Sequence, residues 1–225
     1  DLFIYGYDCE MVRERVERGD IVPKAVGFTY TNCAGVNANM DGDTVVAHLG
    51  DREFRIAKQE ITIQGRHNVY NAMAAILAAL KAGVSDEDLR MGLTTFPQVE
   101  HRLETVDVVN GVTYINDSKA TNVDSAWYAL DSMHAPVVWI AGGTDKGNDY
   151  SVLFDLVKEK VKLLICMGMD NEKLIKAFSP ICEVVDTHSL DETMEVAYCR
   201  AEKGDVVLLS PCCASFDLFK NYENR

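Results

Sequence analysis

Hydrophobic and polar positions change rhythm along the chain near residue 97. Up to residue 60 the pattern is that of mixed strands and turns with one short helix. Tyr7 to Gly19 has Met11, Val12 and Val16 at helical spacing among charges, with Gly19 as the stop. Val45-Val46-Ala47-His48-Leu49 and Glu53-Phe54-Arg55-Ile56 flank Gly50-Asp51-Arg52 and predict a hairpin. Residues 68–82 are rich in Ala, Leu and Met, which favour helix, and Gly83 follows as a C-terminal stop. The segment is apolar almost all round, so it is expected to be buried. A second helix starts after Ser85, an N-cap with Asp88 three residues on. Thr94-Thr95-Phe96-Pro97 reads as a linker. This divides the chain into a first domain at 1–97 and a second at 98–225.

The second part alternates short apolar runs with helical patterns. Thr105–Val109 and Val112–Ile115 flank Asn110-Gly111, a strong hairpin signal. Helical segments at 122–133, 151–160, 171–178 and 190–202 then separate strands at 137–141, 162–166, 183–185 and 205–210. Ser189 with Glu192 predicts a capping box for the last helix. Such alternation predicts an α/β fold, a doubly wound, mostly parallel Rossmann-like domain.

Composition narrows the function. The 225 residues hold 22 Lys and Arg against 35 Asp and Glu, a net charge of -13 with no basic run. Duplex nucleic acid and anionic membranes are therefore poor partners. Small anions stay open, because local cations and backbone amides can hold them. Seven cysteines, an odd number without a C-x-x-C, predict reduced thiols and a cytoplasmic protein. No apolar run reaches membrane-spanning length. The chain begins at Asp1 and stops at Arg225 beside apolar segments, which reads as a fragment of a longer protein.

In open α/β sheets, ligands bind beyond the carboxyl ends of the strands. Three predicted strand ends carry Asn116-Asp117-Ser118-Lys119-Ala120-Thr121-Asn122, Gly142-Gly143-Thr144-Asp145-Lys146-Gly147 and Ser210-Pro211-Cys212-Cys213-Ala214-Ser215-Phe216. Cations, hydroxyls and glycine-rich backbone together suit an anionic substrate and phosphoryl transfer. Each piece also has a plainer reading. Gly142-Gly143 is what a tight turn needs, Asp117 and Ser118 are ordinary helix caps, and a single lysine is by default a solvated charge. Cys212-Cys213 reads as packing. Upstream, in Gln64-Gly65-Arg66-His67-Asn68-Val69-Tyr70-Asn71, Asn68 and Asn71 share one helix face and suit a base edge or a phosphate. An N-cap and a surface residue would give the same letters. Arg102, at the entry to the second domain, suits either a nucleotide or a salt bridge.

These motifs together resemble a known family. Gly65-Arg66-His67-Asn68-Val69-Tyr70-Asn71-Ala72-Met73-Ala74-Ala75 resembles the G-x-H-N-x-x-N-x-x-A-A helix shared by Mur ligases and folylpolyglutamate synthetases. His101-Arg102-Leu103-Glu104 is similar to the H-R-x-E that opens their C-terminal domain. Ile115-Asn116-Asp117-Ser118-Lys119-Ala120-Thr121-Asn122 and the segment from Leu208 to Arg225 resemble the D-glutamate-adding branch of the Mur ligases, with Cys212 where an Ala is usual. The resemblance covers residues 60–225 strongly. It implies that 1–97 is the end of a central ATP-binding domain of P-loop type and 98–225 the C-terminal domain. It implies an ATP-dependent amide ligase of peptidoglycan precursor synthesis. By that resemblance, the carboxylate of UDP-N-acetylmuramoyl-L-alanine would become an acyl phosphate that the amine of D-glutamate would attack. By motif position, Asn68, Asn71, Arg102 and Asp117 would meet ATP. Lys119 and Asp117 would be the catalytic pair. Thr121, Lys146, Ser215 and the backbone of Tyr222 would bind D-glutamate. Magnesium would be a cofactor, with its ligands upstream of this chain. A phosphate loop is missing from the sequence, so this chain alone is expected to be an inactive part of a monomeric enzyme. Two alternatives remain open: a non-catalytic α/β module that binds an amino acid or nucleotide, and a folylpolyglutamate synthetase-like ligase. The latter's D-G-A-H-N-P motif is not matched by Asn116-Asp117-Ser118-Lys119.

Overall fold

The computed structural model describes residues 1–63 and 65–225. Gln64, which opens the stretch before the asparagine helix, lies outside the described residues. The chain divides into two compact units, Asp1–Gln98 and Val99–Arg225.

The first unit is a five-stranded sheet with helices. Strands β1 (Leu2–Gly6), β2 (Lys24–Phe28), β3 (Ala38–Asp41), β4 (Thr44–Leu49) and β5 (Arg52–Ala57) lie side by side in chain order. β1, β2 and β3 are parallel, and β4 and β5 return antiparallel as the expected hairpin. Helix α1 spans Glu10–Glu17, and Gly19 beyond it has φ 76°. Helix α2 runs from Arg66 to Ala82 and ends on Gly83 at φ 82°, a left-handed position that glycine takes without Cβ strain. Its N-cap is Gly65, so Asn68 lies inside the helix and the N-cap alternative for it falls. Val69, Ala72, Met73, Ile76, Leu77 and Leu80 form one buried face against β2 to β5. Burying each large apolar side chain there contributes about 1.5–3 kcal/mol. The expected all-round burial is not found. Ala75 and Ala78 on the opposite face are exposed, because alanine carries too little apolar surface to demand cover. Helix α3 (Asp86–Thr95) is capped by Ser85, which accepts from the Asp88 amide, and it takes in two residues expected to be linker.

The second unit is a six-stranded sheet with helices on both faces. Its elements are β6 (Glu104–Val109), β7 (Val112–Asn116), α4 (Val123–Asp131), β8 (Val137–Gly142), α5 (Phe154–Lys160) and β9 (Val161–Met167). There follow α6 (Glu172–Phe178), β10 (Glu183–Thr187), α7 (Leu190–Arg200) and β11 (Val206–Cys212). The order across the sheet is β10-β9-β8-β11-β7-β6. All neighbours are parallel except the edge hairpin β6–β7, whose turn places Asn110 and Gly111 at φ 54° and 81°. Alternate residues of β8 face opposite layers. Val137, Trp139 and Ala141 pack with α4, α5 and α6, while Val138 and Ile140 pack with the layer containing Ala197 of α7. Two-sided burial is why these strands are continuous apolar runs. The α/β, doubly wound reading of the sequence agrees with this sheet.

Candidate active site

β11 lies between β7 and β8, so the loops leaving these three strands sit side by side at one sheet end. This is the crest that the strand-end motifs occupy.

Two backbone devices join the loops. Thr144 and Ala214 exchange both backbone hydrogen bonds, at 2.8 and 3.2 Å. Gly143, at φ 121°, permits this approach: a Cβ there would fall within the van der Waals envelope of the Ala214 carbonyl oxygen. Gly142, at φ 137°, meets the Met167 carbonyl in the same way. The paired glycines therefore serve close packing of three loops as well as a turn. Cys212 and Cys213 are buried, and burial pushes both thiols up, which fits packing.

Asp117 is buried at the end of β7. Ser210 Oγ donates to its Oδ2 at 2.9 Å and the Leu103 amide to its Oδ1 at 3.2 Å. Burial raises its carboxyl to about 6, against the pull of those two donors and of the nearby Arg102 guanidinium. The turn that presents Arg102 has His101 at φ 62° and Leu103 at φ 45°. It is tied down by the His101 amide donating to Glu104 Oε2 at 2.9 Å and by Asn116 Nδ2 lying 3.0 Å from His101 Nδ1.

Lys119 Nζ lies 3.7 Å from the centre of the Tyr222 ring, and the His101 ring meets the same tyrosine edge-on at 5.8 Å. Ser118 anchors the segment that carries Tyr222. Its hydroxyl donates to the Tyr222 carbonyl at 2.7 Å and accepts from Arg225 Nε at 3.0 Å. Arg225 Nη2 also donates to the Ser118 carbonyl at 2.9 Å, and burial lowers this guanidinium to about 10.

Asp117, Lys119, Thr121, Lys146, Ser215, Tyr222 and Arg102 all belong to the second unit and to this crest or its border. Ser215 is only 2% exposed, Thr121 is half-buried, and Arg102 and Lys146 are exposed. Asn68 and Asn71 lie on α2 of the first unit, Asn68 half-buried and Asn71 exposed. Of the residues that brace this crest, Ser118 and Arg225 with Asp145, Asn148 and Tyr150, only Ser118 has a reading of its own from the sequence, as a helix cap; that reading falls, because Asn122 caps α4. Only the quoted motifs containing Ser118, Asp145 and Arg225 hinted at them. Among the described residues, no group of three His, Cys, Asp or Glu side chains converges to hold a metal ion. Among them also, no helix is long and apolar enough to cross a membrane.

Comparison with known proteins adds to this geometry. The family described as Mur ligase, glutamate ligase domain, matches residues 101–213. A UDP-N-acetylmuramoylalanine--D-glutamate ligase of Christiangramia forsetii is 43% identical over 226 residues, covering 100% of this chain and 51% of that protein. One of the same name from Cytophaga hutchinsonii is 50% identical over 190 residues, covering 84% and 42%. The chain thus spans about half the length of the curated relatives it matches. Among solved structures, MurF from Acinetobacter baumannii superposes with a TM-score of 0.68 at 16% identity, covering 94% of this chain and 49% of that one. MurF from Thermotoga maritima, in complex with ADP, gives 0.66 at 13%, covering 92% and 49%.

Proposed function

The chain belongs to the Mur ligase family, and from that premise we propose that the whole protein is a cytoplasmic, monomeric ATP-dependent ligase joining D-glutamate to UDP-N-acetylmuramoyl-L-alanine in peptidoglycan precursor synthesis. The observation that carries this reading is the convergence of Asp117, Lys119, Lys146 and Ser215 from three adjacent strand ends. The motifs containing them resemble the D-glutamate-adding branch. Residues 1–97 then serve as the end of the central ATP-binding domain and 98–225 as the C-terminal domain.

In this mechanism the substrate carboxylate takes the terminal phosphoryl group of ATP and ADP leaves. The D-glutamate amine attacks the acyl phosphate, and the tetrahedral intermediate collapses to an amide and phosphate. Asn68 and Asn71 contact the nucleotide. Arg102 and Asp117 hold its phosphates and ribose; above about 6 the Asp117 carboxyl is ionised and acts only as an acceptor, suited to a ribose hydroxyl. Lys119, oriented by the Tyr222 ring, neutralises charge that develops on the transferring phosphoryl oxygens. Thr121, Lys146, Ser215 and the Tyr222 backbone bind the two carboxylates of D-glutamate, which need cation and hydroxyl or amide donors at both ends. The Tyr222 carbonyl already accepts from Ser118, and of its backbone groups only the N–H can donate to a carboxylate. Magnesium is the expected cofactor; it would neutralise charge on the ATP phosphates, and its ligands are assigned to the protein's upstream part.

The test is turnover by the full-length protein. ADP release should require both UDP-N-acetylmuramoyl-L-alanine and D-glutamate, and L-glutamate should not replace the latter. ADP release with another amino acid but not with D-glutamate would overturn the reading. The 225-residue chain alone, lacking a Gly-Lys-Ser/Thr loop, should release no ADP.

A further inference from the structure

We infer that Asp145 is a positioning residue that aims Lys146 at its anionic ligand and that Tyr150 holds Asp145 in place; the inference rests on the assignment of Lys146 to a D-glutamate carboxylate. Asp145 Oδ1 accepts from the Gly147 amide at 2.6 Å and from the Asn148 amide at 3.2 Å. The bond to Gly147 closes a ring in which Lys146 is the middle residue, so both peptide groups flanking Lys146 are fixed. Gly147, at φ 86°, supplies the left-handed backbone that continues the turn.

A carboxylate next in sequence to a lysine is also a competitor for its ammonium. Here that competition is removed. Oδ1 further accepts from Lys173 Nζ at 2.9 Å, and Oδ2 accepts from the Tyr150 hydroxyl at 2.6 Å. Four donors engage the two oxygens. Burial alone would raise this carboxyl, but Tyr150, Lys173 and the two amides outweigh it and hold it below its usual range. Lys146 itself is exposed and, among the described residues, has no anionic partner.

The brace is anchored in the protein interior. Tyr150 is buried against Phe178, and its hydroxyl lies 3.2 Å from Cys213 Sγ. With the tyrosine proton given to Asp145, the thiol is the donor in that second bond. Asn148 Nδ2 donates to the Cys212 carbonyl at 3.2 Å. The β8 loop bearing Lys146 is thereby tied to the β11 loop that leads to Ser215 and to α6 through Lys173. Two residues assigned to the same ligand are held in one frame.

The experiment uses the full-length enzyme with Asp145→Ala, Tyr150→Phe and Lys146→Ala. Asp145→Ala should raise KM for D-glutamate about tenfold, the loss of an organising hydrogen bond to a charged group. KM for ATP should stay within about twofold. Tyr150→Phe keeps the ring and its packing and should shift the D-glutamate KM in the same direction by less. A purely structural role would lower the melting temperature and kcat without singling out D-glutamate. The inference is overturned if Lys146→Ala raises the D-glutamate KM while Asp145→Ala and Tyr150→Phe leave it unchanged. If Lys146→Ala itself leaves that KM unchanged, the assignment of Lys146 fails and the inference fails with it.

Discussion

Asp117 is a carboxylate held where water is scarce, and its surroundings set a measurable pH dependence. Its carboxyl is raised from 3.8 to about 6, so the folded chain keeps a proton that the unfolded chain releases between those values. Stability therefore falls as pH rises through that window and is lower above it by about 3 kcal/mol for this group. Asp117→Asn should remove this contribution: its Oδ1 can accept from Leu103, and its Nδ2 can donate to Ser210 Oγ. Urea unfolding of the variant and the wild type at pH 4 and 7 should show the variant gaining stability relative to the wild type, by up to about 3 kcal/mol, at the higher pH only. An unchanged difference at the two pH values would refute the burial argument. In the proposed full-length ligase the same variant should lose turnover, because the neutral amide no longer complements Arg102. Asp117 was legible from its motif and its strand end. The raised carboxyl was not, because the groups that bury it and bond it come from Leu103 and Ser210, far apart in the chain.

At the scale of elements, caps and turns followed local chemistry, and loop packing did not. Ser189 accepts from the Glu192 amide at 3.2 Å as the capping pattern predicts, while the Glu192 side chain accepts from the His188 amide, one residue earlier than the simple box. Ser189→Ala should cost about 1 kcal/mol in urea unfolding. Gly143 behaves differently. Its left-handed φ and its approach to the Ala214 carbonyl mean that Gly143→Ala must break the Thr144–Ala214 pair or distort the strand end. A loss of more than about 1 kcal/mol is expected. In the proposed full-length ligase, a higher D-glutamate KM should accompany it. Retention of wild-type stability would show that the loops are not zipped together. Glycine in a turn was readable from sequence. The partner it approaches was not, because Ala214 is brought there by the crossover to β11.

For the whole molecule, the separation into two units has an energetic meaning. Among the described residues, every core cluster is built within one unit: α2 with the first sheet, and two layers around the second sheet. The second unit, Val99–Arg225, should therefore fold when produced alone, with a dispersed amide NMR spectrum and cooperative unfolding. A collapsed spectrum would show that its core depends on residues outside it. The amino-acid sequence by itself determined the alternation of strands and helices, the hairpin at Asn110-Gly111, the helix caps and the motifs that resemble the Mur ligases, since these depend on residues near one another in the chain. Only the tertiary structure decided that β11 inserts between β7 and β8. That placement brings Lys119, Lys146 and Ser215 to one crest, buries Asp117 beneath it, and lets Tyr150 and Lys173 engage the carboxylate beside Lys146. The physical reason is that strand order and burial arise from long-range packing of the two faces of a sheet, which no local pattern encodes.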